Sequence, residues 1–365
     1  MRNLLINLHK WLGFGLLLVL MFQATTGVLL TYDHAIDEFL NPTELRVNSG
    51  LRGEYASVDN ILHSVYTNLP DVVAISSLRK PRHTETVFVV YPTFSKGSEY
   101  HGRKMEVLLN PYTAEITGIR EWGKYFTSFV YSLHSTLLLN DIGKVIIGWL
   151  GILLLTSLII GLYLAWPKTI NTWRFYFSRS VAQLKHSNYW RKKHVQIGLI
   201  LAPFLCVTFL TGVGMSFHKF TSQILNVPEP QILLHIDASR TQPQKIESLL
   251  TSIKADLPEY EWQRIKVPSS PYEPVLINLK GGADPRRSVG SSNVWVDITD
   301  GKLIDSIKYD ELSLRQKISF WLFPLHNGEV FNHVGKLLII LTGFATMWLV
   351  VTAFLRFVSR KHFNW

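Results

Sequence analysis

Thirteen histidines and a single cysteine bound the chemistry open to this 365-residue chain. One cysteine, Cys206, leaves no intramolecular disulfide, no cysteine-held zinc or iron–sulfur site, and no C-x-x-C-H haem attachment. Four of the histidines occupy matched places in the two halves of the chain: His9 with His194, and His134 with His326. The first two stand just ahead of long apolar runs, and the other two each precede such a run by 11 residues. Two imidazoles facing each other across a gap suit bis-histidine ligation of a b-type haem, which needs no covalent attachment. Ionisable side chains beside a membrane span are costly, which points them toward function. The plainer alternative is that each anchors at the headgroup layer and that the match is inherited from a duplication. His34, His218 and His333 lie near span ends too and could ligate instead, although His34 matches Lys219 and His333 matches Asp141. His63, His83, His101, His186, His235 and His362 read as solvated.

Other chemistries have little to stand on. Neither a G-x-G-x-x-G nor a Walker signature occurs, so no nucleotide domain is expected. No Ser–His–Asp order, metal-spaced histidine set or isolated carboxylate pair supports a hydrolase. Two basic clusters, Arg79, Lys80 and Arg82, and Arg286 with Arg287, could draw an anionic substrate or could be solvated surface.

The elements that must position the histidines are apolar. Leu12–Thr31, Val145–Trp166, Val195–Phe217 and Leu337–Leu355 carry no charge, and each is long enough to cross a hydrocarbon core of about 30 Å as a helix. The first is expected to be retained as a span rather than cleaved as a signal peptide. Pro203 is expected to break the third. The formal charge of +10 divides sharply by segment. Residues 1–10, 167–194 and 356–365 hold Arg2, Lys10, Lys168, Arg174, Arg179, Lys185, Arg191, Lys192, Lys193, Arg356, Arg360 and Lys361 and no acid. All 27 acids lie in 33–141 and 218–329. The positive-inside rule puts both termini and the middle loop in the cytoplasm. The aromatics that interleave with the basic loop residues then read as headgroup anchors rather than a nucleic-acid surface.

This divides the chain into a cytoplasmic start with the first span (1–32), an outside domain (33–141), a second span (142–166), a basic cytoplasmic loop (167–194), a third span (195–217), a second outside domain (218–335), a fourth span (336–356) and a cytoplasmic tail (357–365). The halves repeat. His9, Gly13, Thr26, Gly27 and Val28 align with His194, Gly198, Thr211, Gly212 and Val213, while His134, Asn140, Gly143 and Gly151 align with His326, Asn332, Gly335 and Gly343. Even span numbers per copy put a pseudo-two-fold axis along the membrane normal. Each outside domain reads as α+β. A helix over Val58–Leu69 precedes strands at Val72–Leu78, Glu85–Tyr91, Lys104–Leu109 and Glu115–Ile119. A second helix over Ile246–Leu257 precedes Glu261–Val267, Pro274–Leu279, Asn293–Asp297 and Lys302–Ile307.

Leu8-His9-Lys10-Trp11-Leu12-Gly13 opening a span, Thr26-Gly27, and Phe39-Leu40-Asn41-Pro42 together resemble the PepSY-associated transmembrane family of iron-regulated inner-membrane proteins. Leu325-His326-Asn327-Gly328-Glu329 before Gly335 resembles that family's Leu-His-x-Gly element. Val294-Trp295-Val296-Asp297 with Gly301 resembles a PepSY strand–turn–strand ending. The first copy departs from it, with Leu133-His134-Ser135-Thr136 lacking the glycine and Ala114 standing where the second copy has Gly301. The resemblance implies a membrane α+β fold, four transmembrane helices in two tandem pseudo-symmetric repeats, each with a periplasmic PepSY-like domain. It implies two b haems, His9 and His194 holding the one nearer the cytoplasm and His134 and His326 the periplasmic one. It also implies reduction of a ferric siderophore or other ferric chelate, with quinol or a cytoplasmic reductase as electron donor. Two other classes remain: a non-enzymatic PepSY membrane protein that binds or regulates a periplasmic peptidase, and a small-solute transporter.

Overall fold

In the computed structural model, residues 1–47, 53–178, 186–230, 245–268 and 273–361 are described. Along the chain run α1 (Arg2–Gly15), α2 (Leu17–Leu30), α3 (Asp33–Leu40), α4 (Pro42–Leu45), α5 (Val58–Asn68), β1 (Val72–Arg79), β2 (Phe88–Phe94), β3 (Met105–Leu109), β4 (Ile116–Glu121), α6 (Phe126–Thr136), α7 (Asn140–Ala165) and α8 (Ile170–Phe177). The second half supplies α9 (His186–Ser216), α10 (His218–Leu225), α11 (Ile246–Asp256), β5 (Glu261–Lys266), β6 (Val275–Lys280), β7 (Ser292–Val296), β8 (Leu303–Ile307), α12 (Leu314–His326) and α13 (Asn332–Lys361). The chain divides into two compact units. A helical one takes residues 1–32, 130–221 and 322–365, and a sheet-bearing one takes 33–129 and 222–321.

Three helices of the first unit are long and apolar enough to cross a membrane, and a fourth crossing results if α1 and α2 count as one broken span. That first span is bent rather than straight: α1 and α2 meet at 55°. The break falls at Leu16, whose φ of −95° and ψ of 2° leave the helical region, directly after Gly13 and Gly15, residues that weaken a helix locally. The expected break at Pro203 is absent, since α9 runs through it without interruption. Proline removes one backbone hydrogen bond, a loss that neighbouring helices in a bundle can absorb. In the bundle α1 packs on α7, α7 on α9, α9 on α13, and α13 on α2. Two of these seams close on glycine. A Cβ on Gly151 would lie 2.8 Å from Val213, and one on Gly343 2.2 Å from Val28, so α7 and α9, like α13 and α2, approach more closely than a larger residue permits.

The second unit is built on one eight-stranded antiparallel sheet in the order β4-β3-β2-β1-β5-β6-β7-β8. The two strand sets, expected as separate small domains, join where β1 pairs with β5 through Ser77–Lys266, Leu78–Ile265 and Arg79–Arg264. Pairing removes what would otherwise be two exposed sheet edges. Helices α5 and α11 cover one face. Val58, Ile61 and Val65 of α5 and Ile246, Leu249 and Leu250 of α11 fall at helical spacing, and they meet Leu78, Phe88, Val107, Ile265, Ile277 and Val294 in a single core. On the opposite face Leu45 and Val47 pack with Val87, Val89 and Leu108. Helix α5 starts at Ser57, whose side chain accepts from the Asn60 amide, and ends before Pro70, which disfavours helical backbone at Leu69.

Candidate functional site

The four matched histidines stand in pairs within the helical unit. His9 on α1 faces His194 on α9 with ring centroids 6.3 Å apart and planes at 62°. His134 at the end of α6 faces His326 at the end of α12 with the same separation and angle, 6.3 Å and 62°. Each pair joins one residue from each half of the chain.

Every ring is held by its Nδ1. His9 Nδ1 lies 2.9 Å from the Ser157 carbonyl oxygen, and His326 Nδ1 lies 3.1 Å from the Thr208 carbonyl oxygen; against a carbonyl the ring nitrogen must be the donor. His134 Nδ1 is 2.8 Å from Thr26 Oγ1, and His326 Nδ1 is 3.0 Å from Thr211 Oγ1. Both threonine hydroxyls donate one turn back, to Phe22 and Val207 carbonyls, which leaves their oxygens as acceptors for the imidazoles. His194 Nδ1 approaches Thr352 Oγ1 at 3.4 Å, with the Leu349 backbone as its second neighbour. The protonated nitrogen is therefore Nδ1 in this bonding pattern, and Nε2 keeps its lone pair. Metal-binding imidazoles are commonly arranged in this way, with the far nitrogen fixing tautomer and orientation.

Glycines make room for the rings. A Cβ on Gly161 would come within 2.8 Å of His9 Cε1, one on Gly212 within 3.3 Å of His326 Cε1, and one on Gly27 within 3.4 Å of His134 Cε1. Gln23, inside α2, donates to the His134 carbonyl at 3.2 Å and fixes the end of α6. All four rings are half-buried. On α9, the level of Thr208–Thr211 lies about 21–26 Å from His194 at ~1.5 Å per residue, less than the full thickness of a hydrocarbon core.

This geometry fits a haem. Two imidazoles bound on opposite sides of one metal ion, each at about 2 Å through one nitrogen, have centroids roughly 6 Å apart. Among the described residues no group of three or more His, Cys, Asp or Glu side chains could hold a metal ion. Each pair would thus supply two imidazole donors to a metal whose remaining ligands come from a macrocycle.

The other candidates are placed differently. His34 pairs with Asp33 at 3.5 Å, and His218 is exposed. His333 stacks on Tyr32, its Nδ1 3.3 Å from the phenol oxygen, with Lys336 over the same ring. His63, His83 and His101 are exposed, whereas the side chains of His186, His235 and His362 lie outside the described residues. Of the basic clusters, Lys80 lies over the Trp262 ring, Arg82 and Arg287 are exposed, and Arg79 and Arg286 are half-buried. Thr26, Thr211, Ser157 and Thr352 escape a reading of residue types, because a hydroxyl in a span ordinarily bonds its own helix. The signal available was Thr-Gly standing at matched positions in both halves.

The model of the PepSY-associated TM region matches residues 6–360. The chain belongs to that family. No curated protein matches it. This PepSY-associated chain is a multi-pass membrane protein whose α+β fold combines apolar helices with an antiparallel sheet.

Proposed function

We propose that this PepSY-associated protein is an inner-membrane electron-transfer protein that holds two b-type haems and reduces ferric chelates, siderophores among them, on the periplasmic side. The observation that carries the reading is the pair of histidine pairs with one shared geometry, 6.3 Å and 62°. In this reading His9 and His194 hold the haem nearer the cytoplasm, and His134 and His326 the one nearer the periplasm. Each bound haem supplies a one-electron couple whose potential follows its ligands and burial. The chain's own residues do the rest. Ser157, Thr26, Thr208 and Thr211 fix the imidazole orientations, and Gly161, Gly27 and Gly212 admit the rings. The apolar helices keep the sites out of bulk water.

The segregation of charge supports cytoplasmic termini and middle loop, with 33–141 and 218–335 in the periplasm. Two exchanges support a duplication about an axis through the bundle. Gly151 with Val213 and Gly343 with Val28 are equivalent contacts under the sequence match. In the sheet unit, Glu247 accepts from the Val58 amide at 2.7 Å while Asp59 accepts from the Ile246 amide at 3.0 Å, so matched carboxylates cap each other's helices. Quinol or a separate cytoplasmic reductase would donate electrons.

An absorption spectrum of the detergent-purified protein tests the reading. We expect a Soret band that sharpens and shifts on dithionite reduction, with His9→Ala and His134→Ala each removing about half of it. A ferrous-specific chromogenic chelator should then report Fe(II) released from a ferric chelate. Purified protein from haem-supplied cells that shows no Soret band would falsify the redox reading.

A further inference from the structure

The sheet face opposite α5 and α11 sets two arginines where a strand pair ordinarily avoids them. Arg79 on β1 lies directly opposite Arg264 on β5, and directly opposed like charges destabilise a sheet. Lys266, exposed and directly opposite Ser77, adds a third cation to the same face. Arg264 donates to Ser77 Oγ at 3.0 Å and lays its guanidinium over the Tyr91 ring at 5.2 Å. Its Nε is buried and makes no hydrogen bond within the described residues. Among the described residues neither Arg79 nor Arg264 forms an ion pair with a carboxylate.

Arg120, on β4, shows what a structurally neutralised arginine looks like in this sheet. It donates to Glu106 Oε2 and Asp37 Oδ2, both at 2.9 Å, and stacks on Tyr125. Burial alone would lower its pKa, but Glu106, Tyr125 and Asp37 more than offset that and raise it. Glu106 Oε2 is thereby occupied, since it also accepts from Tyr125. The central arginines have no such arrangement.

We propose that this face, with Arg79 and Arg264 at its centre, Tyr91 beneath and Lys266 at the rim, binds an anionic, carboxylate-bearing metal chelate. Guanidinium groups present planar forks that match carboxylates two bonds at a time. A bound anion relieves the repulsion across β1–β5. The inference rests on the ferric-chelate reading and narrows it: anionic chelates are preferred to neutral or cationic ones, and Arg264 joins Arg79 as a determinant in place of Lys80, Arg286 and Arg287.

Titration calorimetry of the full-length protein with gallium(III) citrate, which cannot be reduced under these conditions, tests the site without using the haems. Wild-type protein should bind, with affinity falling as salt rises, and Arg264→Gln should weaken binding about tenfold or more, the scale of a lost charge-assisted contact. Arg287→Gln should leave it unchanged. Arg79→Glu discriminates most sharply, because it converts a like-charge opposition into a cross-strand ion pair. Its unfolding temperature should hold or rise while affinity drops at least tenfold. No binding by wild type, affinity within twofold of wild type in Arg264→Gln and Arg79→Glu, or a loss of folded protein in Arg79→Glu would each overturn the proposal. Intact gallium citrate binding in a protein that holds no haem would fault the electron path and leave this site standing.

Discussion

Each histidine of the two pairs commits its Nδ1 to the bundle. At His134 a single hydroxyl, that of Thr26, therefore governs the ring. Thr26→Val removes the acceptor for His134 Nδ1 while keeping side-chain volume, whereas Thr211→Val leaves His326 Nδ1 its second acceptor, the Thr208 carbonyl, and should have the smaller effect. Losing such an outer contact ordinarily costs about 10–100-fold in metal affinity. We expect haem occupancy of that pair to fall and its midpoint potential to move, with Thr26→Ser restoring both; redox titration followed optically reads the two quantities. Gly161→Ala should disturb only the other pair, because its Cβ would stand 2.8 Å from His9, and the reduced spectrum should lose one component and keep the second. The histidines were legible because four of them repeat in order along the chain. Their threonine and serine partners were not, since Thr26 and Thr211 bond their own helices as any span threonine does.

At the scale of elements, most strands could be read from alternation and turn residues. The strand expected at Val72–Leu78 ends one residue later, while that expected at Glu85–Tyr91 begins at Phe88. Turn chemistry explains one difference between the halves. Ala114 and Gly301 close equivalent turns with φ of 59° and 73°. In that left-handed region alanine carries a penalty that glycine escapes. Ala114→Gly should raise stability by roughly 1 kcal/mol, seen as a higher denaturation midpoint with haem content unchanged. The approach to α7 shows the same contrast. The matched Asn140 and Asn332 both hold positive φ, 51° and 53°, but Leu137 and Leu138 do so as well in the first copy, where the second uses Gly328 at 78°. The bend at Leu16 was hidden within an apolar run, because hydropathy records length and not direction. Pro203 misled in the opposite sense.

Across the whole molecule, what periodicity could not reveal is that two strand sets become one sheet. That outcome depends on β1 and β5 finding each other across nearly two hundred intervening residues, a contact with no local signature. The exchanged helix caps belong to the same scale. Asp59 takes the amides of Ile246 and Glu247 at 3.0 and 3.2 Å, and Glu247 takes that of Val58. Asp59→Ala should cost about 1 kcal/mol, typical of a lost helix cap, and Asp59→Asn only a fraction of it; chemical denaturation of the purified protein distinguishes them. Equal losses in both variants would mean that the carboxylate charge, and not the acceptor, carries the contact.

Since each histidine pair draws one member from either half of the chain, synthesis itself imposes an order. While the ribosome is still making the middle loop, His9 and His134 are present without counterparts, and neither site exists. The first pair can close once His194 has emerged and its helix has inserted, the second only after His326. A product truncated between those points would carry one complete site and one half-site. A fragment that ends before His326 therefore cannot hold both pairs, and co-expressed halves of the chain should regain them only by finding each other in the bilayer.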